Sequence, residues 1–250
     1  MKNIRQSLFP GEVYNSNNHG KIEILEWINS RNVKIKFLNT GYIKSANAEM
    51  IKIGNIKDKL SKTNKGKAIL GDGKYKAKDN NLAYKTWKNM ITRCYSGCNN
   101  YKDIIVCEKW LNFQNFVPWF NEFYIKDYCL DKDLLIENNK IYSPETCIYV
   151  PRWVNNLFPK RKEKEGLPTG VLCNRQGKYY SRVPDIKKKE IVNKVKNTIE
   201  EAHIDYLETK SWYVMDCLER EDVPKKLIKP LTNRAEGMFL EAQKIKMSFK

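Results

Sequence analysis

Val33, Ile35 and Phe37 alternate with Lys34 and Lys36, the two-residue period of a strand with one buried face. Gly20 to Trp27 alternates as well, setting Ile22, Ile24 and Glu26 against Glu23, Leu25 and Trp27. After Asn39-Thr40-Gly41, the run from Tyr42 to Ile53 continues in the same style. Short strands joined by Asn/Gly turns predict a small curled antiparallel sheet or SH3-like β-barrel over residues 1–54. Residues 55–79 are rich in Lys, Gly, Asn and Asp and read as a linker or loosely ordered strands.

The period then lengthens. Tyr84, Trp87, Met90/Ile91 and Cys94 recur every three or four residues and predict a helix. Trp110, Phe113, Phe116/Val117 and Phe120 predict a second, with Pro118 marking a kink or a boundary. Rings at this density form a core. From Tyr128 the pattern reads as a strand (LDKDLL), a turn at Asn138-Asn139, a strand (KIYS), a further extended stretch and a helix after Pro151. On a regular strand Asp131 and Asp133 share one face and Lys132 takes the other.

A polar linker from Arg161 leads to GVLCN, a turn at Arg175-Gln176-Gly177 and KYYSRV, a hairpin pattern, with a third strand expected around Ile186 to Val195. Lys178, Tyr180 and Arg182 then project to one side, and Tyr179, Ser181 and Val183 to the other. A helix follows through Ile199, Ala202, Ile204/Asp205 and Leu207. Pro224 and Pro230 read as breaks before a final helix in residues 223–250.

Composition narrows the partners. The chain has 250 residues, 41% of them hydrophobic and 30% charged, as in a folded protein. It contains no apolar run of the ~20 residues that a bilayer crossing requires. Forty-six Lys+Arg against 29 Asp+Glu leave a net charge of +17, which favours a polyanionic partner. The excess is uneven. Residues 1–79 carry 16 basic and 7 acidic groups and residues 151–196 carry 13 and 4, while 80–150 and 197–250 are close to neutral. Lys34, Lys36 and Lys44 in the first basic segment are positioned to approach phosphate, and a protein-docking role for that segment is an equal alternative. Seven Cys without a secretion signal point to a reducing compartment. A zinc cluster drawn from Cys94, Cys98, Cys107, Cys129 and Cys147 is one reading; the spacings are not the paired zinc-ligand arrangement, which favours small buried hydrophobes over zinc. The two His, His19 in a turn and His203 on a helix, restrict acid–base chemistry.

LDKDLLIENNKIYSPETCIYVPRWVNNLF, with the upstream Trp87, Met90 and Arg93-Cys94-Tyr95 and with CEKWLNFQNF, resembles phage-encoded HNH-type endonucleases. TGVLCNRQGKYYSRV followed by EEAHIDYLETK resembles the AP2-like DNA-binding module found C-terminal in such proteins. Together the two resemblances cover roughly residues 80–215. They imply an α+β multidomain chain: the N-terminal barrel, an HNH-like ββα domain over 80–160, an AP2-like three-stranded sheet plus helix over 166–222, and a C-terminal helical extension.

The implied activity is Mg²⁺-dependent nicking or cleavage of double-stranded DNA in the cytoplasm of an infected bacterium. Carried over residue by residue, Asp131, Asp133 and Asn155 are the implied catalytic and metal-binding set. No His lies between residues 20 and 202, so the family's usual general base is absent. Hard oxygen donors suit Mg²⁺; the alternative is that Asp131 and Asp133 cap a turn or pair with Lys132 and Arg152. The implied DNA-binding residues are Arg175, Lys178, Tyr180, Arg182, Lys187, Lys188, Lys189, Arg161 and Lys162. Arg182 or Arg175 would read guanine, and the lysines would contact phosphate. Two further readings remain open: an inactive, sequence-preferring DNA-binding protein, and a structural or interaction component.

Overall fold

The computed structural model describes residues 7–97, 99–158, 166–185 and 190–248. Cys98, Arg161, Lys162 and Lys187 to Lys189 lie outside them. The protein is mixed α+β and divides into two compact units, residues 1–122 and 123–250. The division falls inside the stretch 80–160 that the resemblance groups together. No helix among the described residues is long and apolar enough to cross a membrane.

In the first unit, β1 (Val13–Ser16), β2 (Gly20–Asn29), β3 (Asn32–Phe37) and β4 (Ile43–Ala46) form an antiparallel sheet in chain order. Of the two forms expected the structure has the antiparallel sheet, open and not closed into a barrel. Its buried face carries Ile22, Ile24, Val33, Ile35 and Phe37. The alternation read for β2 fails at its far end. A register shift between Ile24 and Glu26 places Trp27 opposite Val33, and Trp27 packs against the core. The expected third strand also stops early. The Asn47 side chain accepts a hydrogen bond from the Glu49 N–H (2.8 Å) and caps a short helix, α1 (Ala48–Lys52), which buries Ile51. Lys36 and Lys34 stand opposite Glu23 and Glu26 in the register, so each cation faces an acid across the sheet.

Residues 55–79 are tied down rather than strung as a linker. Asp58 accepts from the Thr40 hydroxyl (2.6 Å) and the Leu60 N–H (2.8 Å). The Gln114 amide clamps the backbone from both sides. Its Oε1 accepts from Tyr75 N–H (3.0 Å), and its Nε2 donates to the carbonyls of Tyr75 (2.9 Å) and Leu70 (3.1 Å). The two aromatic helices form where the period placed them, as α2 (Asn81–Tyr95) and α3 (Phe113–Phe123); a short strand β5 (Ile105–Val106) and a 3-10 turn (Glu108–Leu111) lie between them. Trp87 Nε1 donates to the Trp110 carbonyl (2.6 Å). Helix α3 runs through Pro118 without a break. The proline withholds one N–H, and burial of Phe113, Phe116, Val117 and Phe120 outweighs that loss.

In the second unit, β6 (Cys129–Asp131) pairs antiparallel with β8 (Ile148–Val150), and α4 (Arg152–Asn155) begins after Pro151. The strand expected over LDKDLL is thus only its first residues, and its partner is β8 rather than the short β7 (Ile141–Tyr142). The turn read at Asn138-Asn139 is present, with Asn138 at φ +58°. Farther on, β9 (Val171–Cys173), β10 (Tyr179–Asp185) and β11 (Glu190–Lys196) make a three-stranded antiparallel sheet with β10 in the centre. Helix α5 (Ile199–Cys217) packs on this sheet, and α6 (Lys225–Met247) packs on α5.

Thr198 caps α5 by accepting from the Glu201 N–H (3.1 Å). Pro230 does not interrupt α6 as expected. It sits within the helix, where Leu227, Leu231 and Ala235 are fully buried on either side.

The buried stripe of α5 includes Tyr206, Leu207, Lys210, Val214 and Cys217. Tyr206 and Leu207 belong to one apolar cluster with Val183 and Ala242; Val214 belongs to another with Leu134, Val150, Val154 and Leu231. Lys210 falls between them. It is 1% exposed, its Nζ has no hydrogen-bond acceptor, and it lies 5.6 Å from the centre of the Phe158 ring. Burial holds its pKa down at about 8.

The unfolded chain therefore binds the extra proton between pH 8 and 10.5, and this group makes stability rise with pH across that window. Below pH 8 the full penalty applies, about 3 kcal/mol. Lys210→Met should raise the urea midpoint at pH 7, and the gap to wild type should shrink as pH climbs past 8. A gap that stays constant from pH 7 to 10.5 would contradict this account.

Candidate nucleic-acid interface

The sheet β9–β10–β11 has two different faces. Val171, Ser181 and Val183 are buried toward α5. Asp205, on α5, fastens this face: it accepts from the Ser181 hydroxyl (2.5 Å) and pairs with Lys194 (3.2 Å) and Lys196 (3.4 Å) on β11. Burial pushes the Asp205 carboxyl up. The Ser181 hydrogen bond and the two lysines more than offset this and hold it below the ordinary carboxylate range. Two cations of the basic segment are thus committed to the inner face, a pairing that strand alternation alone did not reveal. Gly170, at φ +84°, enters β9 directly under Tyr206 of α5; a Cβ there would fall inside the tyrosine ring.

The opposite face is uncovered by α5. Tyr180 and Arg182 lie on it, as the two-residue period predicted, and both are half-buried. In the register Tyr180 stands between Leu172 and Val195, and Arg182 stands opposite Asn193. Arg175 and Lys178 are exposed at the hairpin end, where Lys178 Nζ reaches Asn197 Oδ1 (3.2 Å).

Asn174 organises that end. Its Oδ1 accepts from the N–H groups of Gln176 (3.0 Å) and Lys178 (2.9 Å), and its Nδ2 donates to the Tyr180 hydroxyl oxygen (2.9 Å). The tyrosine oxygen is the acceptor there, which leaves its own O–H to donate elsewhere. Sequence reasoning missed Asn174 and Val195. The signal for the first was an Asn opening the turn closed by Gly177; the second needed the cross-strand register.

The acidic turn is built differently from the expectation. Asp131 Oδ1 accepts from the N–H groups of Asp133 (2.8 Å) and Leu134 (2.7 Å) and so ends β6. Lys132 does not point away. Its buried ammonium donates to Asp133 Oδ2 (3.0 Å) and to the Asn139 carbonyl (2.8 Å). Asn139 Nδ2 in turn donates to the carbonyls of Lys132 (2.6 Å) and Ile141 (2.7 Å), and Arg234 of α6 donates to the Asp133 carbonyl. Burial first, and the Asp133 charge second, push the Asp131 carboxyl up, against the opposing pull of the two amides and Lys132. Asn155 closes α4, half-buried, with its backbone N–H on the Pro151 carbonyl (3.2 Å).

Among the described residues no group of three or more His, Cys, Asp or Glu side chains is placed to hold a metal ion. The Lys132 ammonium already pairs with Asp133, and backbone amides hold one Asp131 oxygen, so these donors are partly committed within the chain and lend no support to a resident Mg²⁺.

No known protein family, curated protein or solved structure matches this chain.

If Asp131 serves the turn, Asp131→Ala should cost about 1–2 kcal/mol, from two backbone N–H groups losing their acceptor. Asp131→Asn, which keeps that acceptor and removes the repulsion from Asp133, should leave the melting temperature within a degree or two of wild type. Equal losses in the two variants would show that charge, not the hydrogen bonds, is what matters.

Proposed function

We propose that this chain is a duplex-DNA-binding protein that contacts DNA through the outward face of β9–β10–β11, and that its acidic turn is a structural element without nuclease activity. The observation that carries the first part is the division of the sheet. One face is fastened to α5, while the other, which α5 does not cover, carries the half-buried Tyr180 and Arg182 with the exposed Arg175 and Lys178 at its end. β10 and β11 pair over seven residues and β9 over only three, so much of the sheet is a two-stranded ribbon, the width a major groove admits. The surrounding segment, residues 151–196, carries 13 basic groups against 4 acidic ones. The resemblance to AP2-like modules supports the same face. Arg182 then addresses a base edge, Arg175 and Lys178 hold phosphates, and Lys187 to Lys189, Arg161 and Lys162 add to the attraction. Lys34 and Lys36, each opposite a glutamate, contribute less.

The second part rests on Lys132. Cleaving a phosphodiester takes an activated water and a cation at the developing charge. Here the cation at the carboxylates is the chain's own ammonium, and no His lies in residues 20–202 to serve as base.

Fluorescence anisotropy with random-sequence duplex tests the first part. Affinity should fall roughly 12-fold between ~50 and ~200 mM salt for the two phosphate contacts of Arg175 and Lys178, and by about a further 3.5-fold for each additional cation that engages. Lys178→Ala should weaken all sequences alike, and Arg182→Ala should relax sequence preference. Affinity insensitive to salt would sink the proposal. For the second part, supercoiled plasmid incubated with Mg²⁺, Mn²⁺ or EDTA should stay intact in every arm. Divalent-dependent nicking that disappears in Asp131→Ala would instead establish the Mg²⁺ endonuclease.

A further inference from the structure

The cross-strand register of the outward face carries more than charge. Leu172, Tyr180 and Val195 are Cα partners across β9, β10 and β11, so their side chains form one row on the face turned away from α5. Val195 is 57% exposed, although its neighbours Lys194 and Lys196 both turn inward to Asp205. The row is therefore apolar from edge to edge. Its one polar atom, the Tyr180 hydroxyl, is fixed by Asn174. Arg182 lies one row along. Two residues of strand rise about 6.7 Å, close to two stacked base pairs.

We infer that this row reads the 5-methyl group of thymine, and that preferred duplex sites place that methyl against Val195 within a couple of base pairs of a guanine against Arg182. The inference rests on the DNA-binding reading above. In the major groove three kinds of base edge offer only donors and acceptors, and the thymine methyl is the one apolar feature. A β-branched side chain standing in water gains by covering that methyl; against cytosine or a phosphate it gains nothing. The basic segment supplies the attraction that brings the duplex to the face.

The test uses the full chain. Duplexes retained from a random pool at low salt give a preferred site, which is resynthesised with each thymine replaced in turn by deoxyuridine, a change of one methyl. One position should lose about four-fold in affinity, the effect of leaving one methyl unburied. Val195→Ser, which removes both methyls, should erase the thymine-over-uracil preference while the preference for guanine persists. Val195→Ile should retain both, and matched melting curves would confirm that the variants are folded. If the protein selects a site but no thymine-to-uracil change alters binding, or if Val195→Ser keeps the preference, the inference is overturned. If the pool yields no bound duplex at all, the DNA-binding reading itself fails, and this one with it.

Discussion

A single carboxylate decides which side of the C-terminal sheet faces the solvent. Asp205 receives the Ser181 hydroxyl from the central strand and two lysines from the edge strand, and so ties both strands to α5. Val183 and Val171 fill in beside it, and Gly170 lets Tyr206 approach where any side chain would intrude. Once the inner face is fixed, strand geometry leaves no choice for the outer one: Leu172, Tyr180, Arg182 and Val195 must point the other way. The lowered pKa of Asp205 keeps this fastening charged well into mild acid.

Much of this was legible in the sequence, but unevenly. The turn at Arg175-Gln176-Gly177 located β10, and period alone located β2, β3, α2, α3 and α5. It failed where a single polar side chain overrode the pattern. Asn47 capped a helix inside an apparent strand, and Asp131 ended β6 after three residues. It also failed where packing overrode a helix breaker, at Pro118 and Pro230. The basic strip at Tyr180 and Arg182 followed from alternation. What it meets across the sheet did not, since register depends on hairpin geometry that the residues alone underdetermine.

The acidic turn shows how similar residues reach different ends. Two aspartates two positions apart suggest a pair of oxygen donors only if the strand continues through them. Here the chain turns at Asp131, and the intervening lysine folds back beneath the second carboxylate. Lys132 pairs with the second carboxylate from inside the turn, and Asn139 and Arg234 bind its carbonyls from two further directions.

Helix α5 serves two apolar clusters, and the amine of Lys210 interrupts the seam between them. Helix α6 spans the same seam, with Ala242 in the sheet-side cluster and Leu227, Leu231 and Ala235 in the other. The paired helices therefore join the two clusters across the buried amine, and removing its desolvation cost would tighten both at once.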